Sequence, residues 1–180
     1  YLKKIEKVNR GNKFKIMLTD ETESQNNYNS IKNILKNISM DKYNESVKLN
    51  DSSIAFIMYT TGTTGPKKGV MLSHANLLAA TRNINKFMQI GPWAIESLPM
   101  RLSHSFGFAR LRCVFDEGGT VIIENGFLRP ERILYNMKLH KANAISSVPA
   151  GFSILLDYYK EQFEEIGPQI KYIEIGSAFM

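Results

Sequence analysis

The chain has 180 residues, 43% of them hydrophobic and 22% charged, which allows one buried core of ordinary globular type. Its longest apolar stretches, around Ser53 to Tyr59 and Val121 to Ile123, fall far short of the roughly 20 residues a membrane helix requires, which excludes a transmembrane segment. A net charge of +6 admits a polyanionic partner, but Lys3, Lys4, Lys7, Arg10, Lys13 and Lys15 lie in Asn-rich sequence without interleaved aromatic rings, so a solvated lysine-rich face is expected and no nucleic acid.

Along the chain, apolar residues alternate between strand-like and helix-like spacing, the pattern of an α/β layer structure. Lys13 to Leu18 reads as a short strand, and Asn29 to Ile38 as a helix with Ile31, Ile34, Leu35 and Ile38 on one face. Polar sequence from Asp41 to Ser52 is a connection, so residues 1–52 are expected to end one region and residues 53–180 to form the next. Ser53 to Tyr59 suits a buried strand. A Gly- and Thr-rich loop leads to a strand at Gly69 to Leu72, and Ser73 is placed to cap a helix from about Ala75 to Met88 that begins near His74.

The same alternation continues with a strand near Ala94 to Leu98 and a helix from about Gly107 to Phe115. Cys113, the only cysteine, falls in this apolar-rich stretch. It excludes a disulfide within the chain, reads as a buried thiol and, with no secretory signal visible after Tyr1, fits a reducing, cytoplasmic compartment. Next come a strand at Thr120 to Glu124, a helix opening at Pro130 with His140 exposed near its end, and a strand at Ala142 to Val148. A helix from about Gly151 to Tyr159 and a strand at Ile170 to Ile175 complete the pattern. The expected fold class is α/β, a layered αβα subdomain with a mostly parallel central sheet.

Residues Tyr59 to Val70 read YTTGTTGPKKGV. Thr60, Thr61, Thr63 and Thr64 offer hydroxyls, Gly62 and Gly65 let backbone N–H groups approach closely, and Lys67 and Lys68 add charge. Phosphate oxygens need several donors from different directions, and charge-assisted bonds to them are about twice as strong as neutral ones. A Walker A loop is excluded: counting from Gly62, Lys67 stands where the second glycine should be, and Lys68 is followed by Gly69 rather than Ser or Thr. No G-x-G-x-x-G frame exists there either.

This loop resembles the phosphate-binding motif of the adenylate-forming superfamily, usually Y-T-S-G-T-T-G-x-P-K-G-V, which includes acyl-CoA synthetases, peptide-synthetase adenylation domains and firefly luciferase. Thr61 keeps the hydroxyl of the usual Ser, and Lys68 falls on the family lysine. The match runs on through Met71-Leu72-Ser73-His74-Ala75-Asn76-Leu77. One departure is that Lys67 stands where the family has proline, with Pro66 one residue earlier, and proline fixes its own φ and restricts the residue before it.

Further landmarks follow in order. Leu98-Pro99 and Ser103-His104-Ser105-Phe106-Gly107 resemble L-P-L-x-H-x-x-G with two extra residues, which makes His104 the imidazole beside phosphates and carboxylate. Val148-Pro149-Ala150-Gly151-Phe152 resembles a turn that walls the acyl pocket, so Gly151 and Phe152 are candidate substrate contacts, with an ordinary helix start and core Phe as the alternative. Gly176-Ser177-Ala178 resembles the G-G-A loop against which adenine packs.

The resemblance implies the large N-terminal domain of an adenylate-forming ligase. It would use ATP and Mg²⁺ to convert a small-molecule carboxylate to an acyl-adenylate with loss of pyrophosphate, then transfer the acyl group to the thiol of CoA or of phosphopantetheine on a carrier protein. Thr60 would lie at the metal, Lys68 and His104 would act in catalysis, and Thr60, Thr61, Gly62, Thr63, Thr64, Gly65 and Lys68 would hold phosphates. An apolar acid is preferred, since no acidic residue in these landmarks offers a partner for an ammonium group. The downstream metal, ribose and mobile-domain landmarks of the family are absent, so the segment is expected to fold as a subdomain without turnover alone. The alternatives are a non-catalytic nucleotide- or acyl-binding module and, more remotely, a basic nucleic-acid-binding protein.

Overall fold

The computed structural model describes residues 17–18, 29–30, 49–60 and 65–177. The chain divides into two units, Tyr1–Lys48 and Leu49–Met180. In the first, β1 (Met17–Leu18) pairs in parallel with β2 (Asn29–Ser30). The helix expected from Asn29 is corrected at its first two residues, which hydrogen-bond across to another strand; its remainder, with Ile31 to Ile38, lies outside the described residues.

The second unit opens with an antiparallel hairpin of β3 (Ile54–Tyr59) and β4 (Gly69–Ser73). Its burial differs from the expectation: Ile54, Ile57 and Tyr59 remain 54%, 50% and 68% exposed, so an all-apolar run here forms a surface-facing strand. Helix α1 (His74–Met88) begins where Ser73 caps it. The Ser73 hydroxyl accepts from the Asn76 N–H at 3.2 Å and the Asn76 side chain accepts from the Ser73 N–H at 3.1 Å, a reciprocal box that satisfies two donors left over at the helix start.

Four parallel strands follow: β5 (Ile95–Leu98), β6 (Thr120–Ile123), β7 (Ala144–Ser147) and β8 (Tyr172–Ile175), in the spatial order β6-β5-β7-β8. Between them run α2 (Ser105–Asp116), α3 (Pro130–Leu139), α4 (Pro149–Tyr158) and a helix absent from the sequence reading, α5 (Lys160–Ile166). Pro130 and Pro149 each sit in the first turn of their helix, where a missing N–H costs nothing.

Alternation along the strands sorts the two faces of the sheet. Ile145 joins Ile133, Leu134, Met137, Phe152, Leu155 and Ile166 in a core beneath α3, α4 and α5. On the other face Ala94, Cys113 and Val114 pack with Ile84, Met88 and Tyr172 beneath α1 and α2. The result is the expected αβα layering. Cys113 is fully buried, and burial pushes its thiol up to about 11 against the pull of Arg110 and Arg112. From β5 the chain crosses to β6 on one side and then returns over β5 to β7 on the other, so the order reverses beside β5, where open α/β sheets bind ligands at their carboxyl ends.

Candidate functional site

The phosphate-loop candidate spans the tip of the β3–β4 hairpin. At its neck the Thr60 N–H donates to the Lys68 carbonyl at 2.9 Å, and the Lys68 N–H donates back to Thr60 Oγ1 at 3.1 Å. The two residues named from sequence as metal ligand and phosphate cation are thereby clamped together. Gly65, Pro66, Lys67 and Lys68 are exposed. Thr61, Gly62, Thr63 and Thr64, named as phosphate donors, lie outside the described residues, as does Ala178. The exposed Thr60 hydroxyl keeps a lone pair for a hard cation beside its hydrogen bond, and the Lys68 ammonium suits a polyphosphate, so both residues fit Mg²⁺ and ATP.

His104 stands at the N-cap of α2, just past the carboxyl end of β5. The two additional residues of its landmark form a turn in which the His104 N–H donates to the Arg101 carbonyl at 3.1 Å. Gly107 lets α2 close onto that turn: a Cβ there would come within 2.5 Å of the Arg101 oxygen. A cavity of about 620 Å³ lies against His104, walled by Arg101, Leu102, Asn125, Gly126 and Phe127. A neighbouring cavity of about 500 Å³ shares the Ile123–Gly126 wall and adds Arg129 and Arg132. No hydrogen bond or salt bridge joins Lys68 to His104 among the described residues.

Gly176 ends β8, its N–H donating to the Ser147 carbonyl at 3.1 Å. The Phe106 ring lies directly on it, 3.1 Å from where a Cβ would sit. Ser177 adopts φ 71, a left-handed conformation that side chains disfavour, so the turn is strained where the family loop has small residues. Gly151 and Phe152 serve packing in this structure. Phe152 is 6% exposed inside the α3–α5 core, and a Cβ on Gly151 would strike Ser147 Oγ and the Phe127 ring. Gly151 therefore reaches the cavity indirectly, by seating Phe127 in its wall. His74 and His140 fall at the start of α1 and the end of α3, as their positions suggest.

Sequence reasoning missed a buried charge cluster behind these landmarks. Arg110 on α2 is 1% exposed and binds Glu96 of β5 through Nε at 3.0 Å and Nη2 at 2.6 Å. Its Nη1 meets Glu174 of β8 at 2.8 Å, and Nη2 lies 3.1 Å from the Tyr172 hydroxyl, which donates to Glu96 at 2.6 Å. Burial works to lower the Arg110 guanidinium, and the Glu96 bond with the two carboxylate charges outweighs it. Burial and the adjacent Glu96 also raise the Tyr172 phenol, keeping it a donor. Glu96 stands within a strand and Arg110 within a helix, 14 residues apart, and no local spacing announces such a pair.

The hairpin, a parallel sheet reversing beside β5 and an imidazole at its carboxyl edge together form an α/β domain of the kind that binds ligands at its strand ends. The model of the AMP-binding enzyme family matches residues 2–178, and the chain belongs to that family. It is 30% identical over 129 residues to a protein described as probable acyl-activating enzyme 16, chloroplastic, of Arabidopsis thaliana, covering 71% of this chain and 17% of that one. It is 28% identical over 114 residues to the acyl-CoA ligase sidI of Aspergillus fumigatus, covering 63% of this chain and 19% of the relative. The chain thus spans about a fifth of the length of these relatives. Among solved structures, ATP-bound MatB from Rhodopseudomonas palustris aligns with a TM-score of 0.66 at 26% identity, over 74% of this chain and 26% of that one. The N-terminal domain of FACL13 from Mycobacterium tuberculosis, 23% identical, shares the fold with a TM-score of 0.69 over 76% of this chain and 34% of its own. Among the described residues no helix is long and apolar enough to cross a membrane.

Proposed function

We propose that this chain is the phosphate-binding part of an enzyme that activates a carboxylic acid with ATP. A carboxylate oxygen bonds to the α-phosphorus, the bond to the β-phosphate oxygen breaks, and pyrophosphate leaves an acyl-adenylate. A thiol of CoA or of a carrier protein's phosphopantetheine then takes the acyl group and releases AMP. The observation that carries this reading is the Thr60–Lys68 clamp, which holds the Thr60 hydroxyl and the Lys68 main chain together at the mouth of a loop whose sequence matches the family's phosphate motif.

In this reading Lys68 neutralises charge growing on the leaving pyrophosphate, while Thr61 to Gly65 supply hydroxyl and N–H donors. Thr60 Oγ1 would help to hold Mg²⁺, which when bound would supply positive charge that favours departure of the pyrophosphate. His104 donates to the carboxylate side, and adenine packs on Gly176, Ser177 and Ala178. Leu102 and Phe127 in the wall of the cavity beside His104 favour an apolar acid, with Gly151 and Phe152 supporting that wall from the core. The buried lone thiol of Cys113 supports a reducing compartment.

The test is pyrophosphate release by the full-length protein across a panel of carboxylic acids. Acid-dependent release that falls steeply in Lys68→Ala is expected. Nucleotide binding without release from any acid would make the protein a binding module instead.

A further inference from the structure

The buried cluster joins the three elements that deliver the site's landmarks. Arg110 lies on α2, whose N-cap is His104. Glu96 lies on β5, which runs through Leu98 into the turn at Arg101. Tyr172 and Glu174 lie on β8, which ends at Gly176. The Phe106 ring, one turn from Arg110 and two residues from His104, rests on Gly176. A slide of α2 along the sheet by an ångström would therefore shift His104 and lift Phe106 off Gly176 together.

Apolar packing holds a helix without fixing its register closely, because burial is non-directional. A guanidinium is different: its planar fork meets a carboxylate in one orientation, and here it bonds Glu96 of β5 and the Tyr172 hydroxyl of β8 at once, with Glu174 attracted by charge alone. Replacing a buried ion cluster by apolar side chains is often neutral or stabilising, so stability alone does not account for it. We propose that Arg110 is a positioning residue: by binding Glu96 on β5 and Glu174 and Tyr172 on β8, it sets His104 and Phe106 relative to the Gly176-Ser177 turn. This rests on the ligase reading for its kinetic consequence, and on geometry alone for its structural one.

The test uses the full-length protein carrying Arg110→Met, Glu96→Leu, Tyr172→Phe and Glu174→Leu together, with Arg110→Lys as a second variant in case the first fails to fold. Thermal midpoint, the kcat and KM of pyrophosphate release, and amide hydrogen exchange at residues 104–107 and 175–177 are measured. The apolar variant should keep its midpoint but lose about tenfold to a hundredfold in kcat, the scale of an ångström's misplacement. Its exchange should rise at both segments and stay unchanged in α3. Arg110→Lys, which keeps the charge without the fork, should retain the wild-type midpoint more fully than the wild-type kcat. Wild-type kcat and exchange in a folded apolar variant would overturn the proposal, as would equal retention of kcat and midpoint in Arg110→Lys. If the wild type releases no pyrophosphate from any acid, the ligase reading fails while the exchange measurement still decides whether Arg110 sets the geometry.

Discussion

The β3–β4 hairpin and the four-stranded sheet handle charge in opposite ways. At the hairpin tip Lys67 and Lys68 stand in solvent, the loop closing on two hydrogen bonds between Thr60 and Lys68. Behind the sheet Arg110 is sealed among Glu96, Glu174 and Tyr172 with hardly any exposure. A charge kept in water can be removed at little cost to the fold and stays available to a ligand. A charge in the interior is committed to its partners, and removing either side leaves the other stranded. The hairpin's charges therefore contribute little stability, and those of the cluster are held at high stakes.

The contrast is sharpest in Arg110→Ala, which leaves Glu96 buried without its cation and is expected to cost about 3–5 kcal/mol in denaturant unfolding. A loss under about 1 kcal/mol would put the cluster in the same class as a surface pair. Lys68→Ala should do the reverse: a midpoint within a degree or two of wild type, and pyrophosphate release lower by about tenfold to a hundredfold, the equivalent of roughly 1.5–3 kcal/mol for one charge-assisted contact. If both variants lose stability equally, the division between the two regions breaks down.

Gly151→Ala probes the join between core and cavity. Its Cβ would drive into Ser147 and the Phe127 ring, and overpacking of this kind costs about 1–3 kcal/mol. Because Phe127 walls the cavity beside His104, the acid profile should also shift, whereas a purely core glycine would change stability alone. The smallest effect concerns Glu174, whose carboxyl burial raises, with Arg110 opposing and Glu96 adding. A carboxyl that holds its proton more tightly folded than unfolded contributes fully below its ordinary pKa of about 4.3, and that contribution is lost as pH rises through the raised folded value. Glu174→Gln should match wild type at the acid end and become the more stable of the two across that window. Thermal midpoints taken at intervals from acid to neutral pH measure it, and parallel curves would show that Glu174 titrates as an ordinary surface carboxylate.

Much of the molecule was legible along the chain because its signals are short-range. Ser73, Pro130 and the apolar runs mark α1, α3 and the strands β3 to β8 within two residues, since caps and periodicity act within a turn or a pleat. The family motif in Tyr59 to Val70 was legible for a related reason: its residues are consecutive in the chain. Helix α5 escaped because Lys160 to Ile166 is a short, mostly polar segment in which Phe163 and Ile166 alone suggest an inward face. The exposure of β3 escaped because an apolar run says what a strand is made of and nothing of what covers it.

The sequence by itself determined most of the strands and helices after Ser53, the family and the choice of candidate site residues, all carried by neighbours in the chain. Only tertiary structure decided that Gly151 acts through Phe127, that Phe106 rests on Gly176, and that Arg110 ties α2 to β5 and β8. Those contacts span up to 70 residues, from Phe106 to Gly176, and they arise from strand order and register, which bring residues together by geometry that no local spacing records.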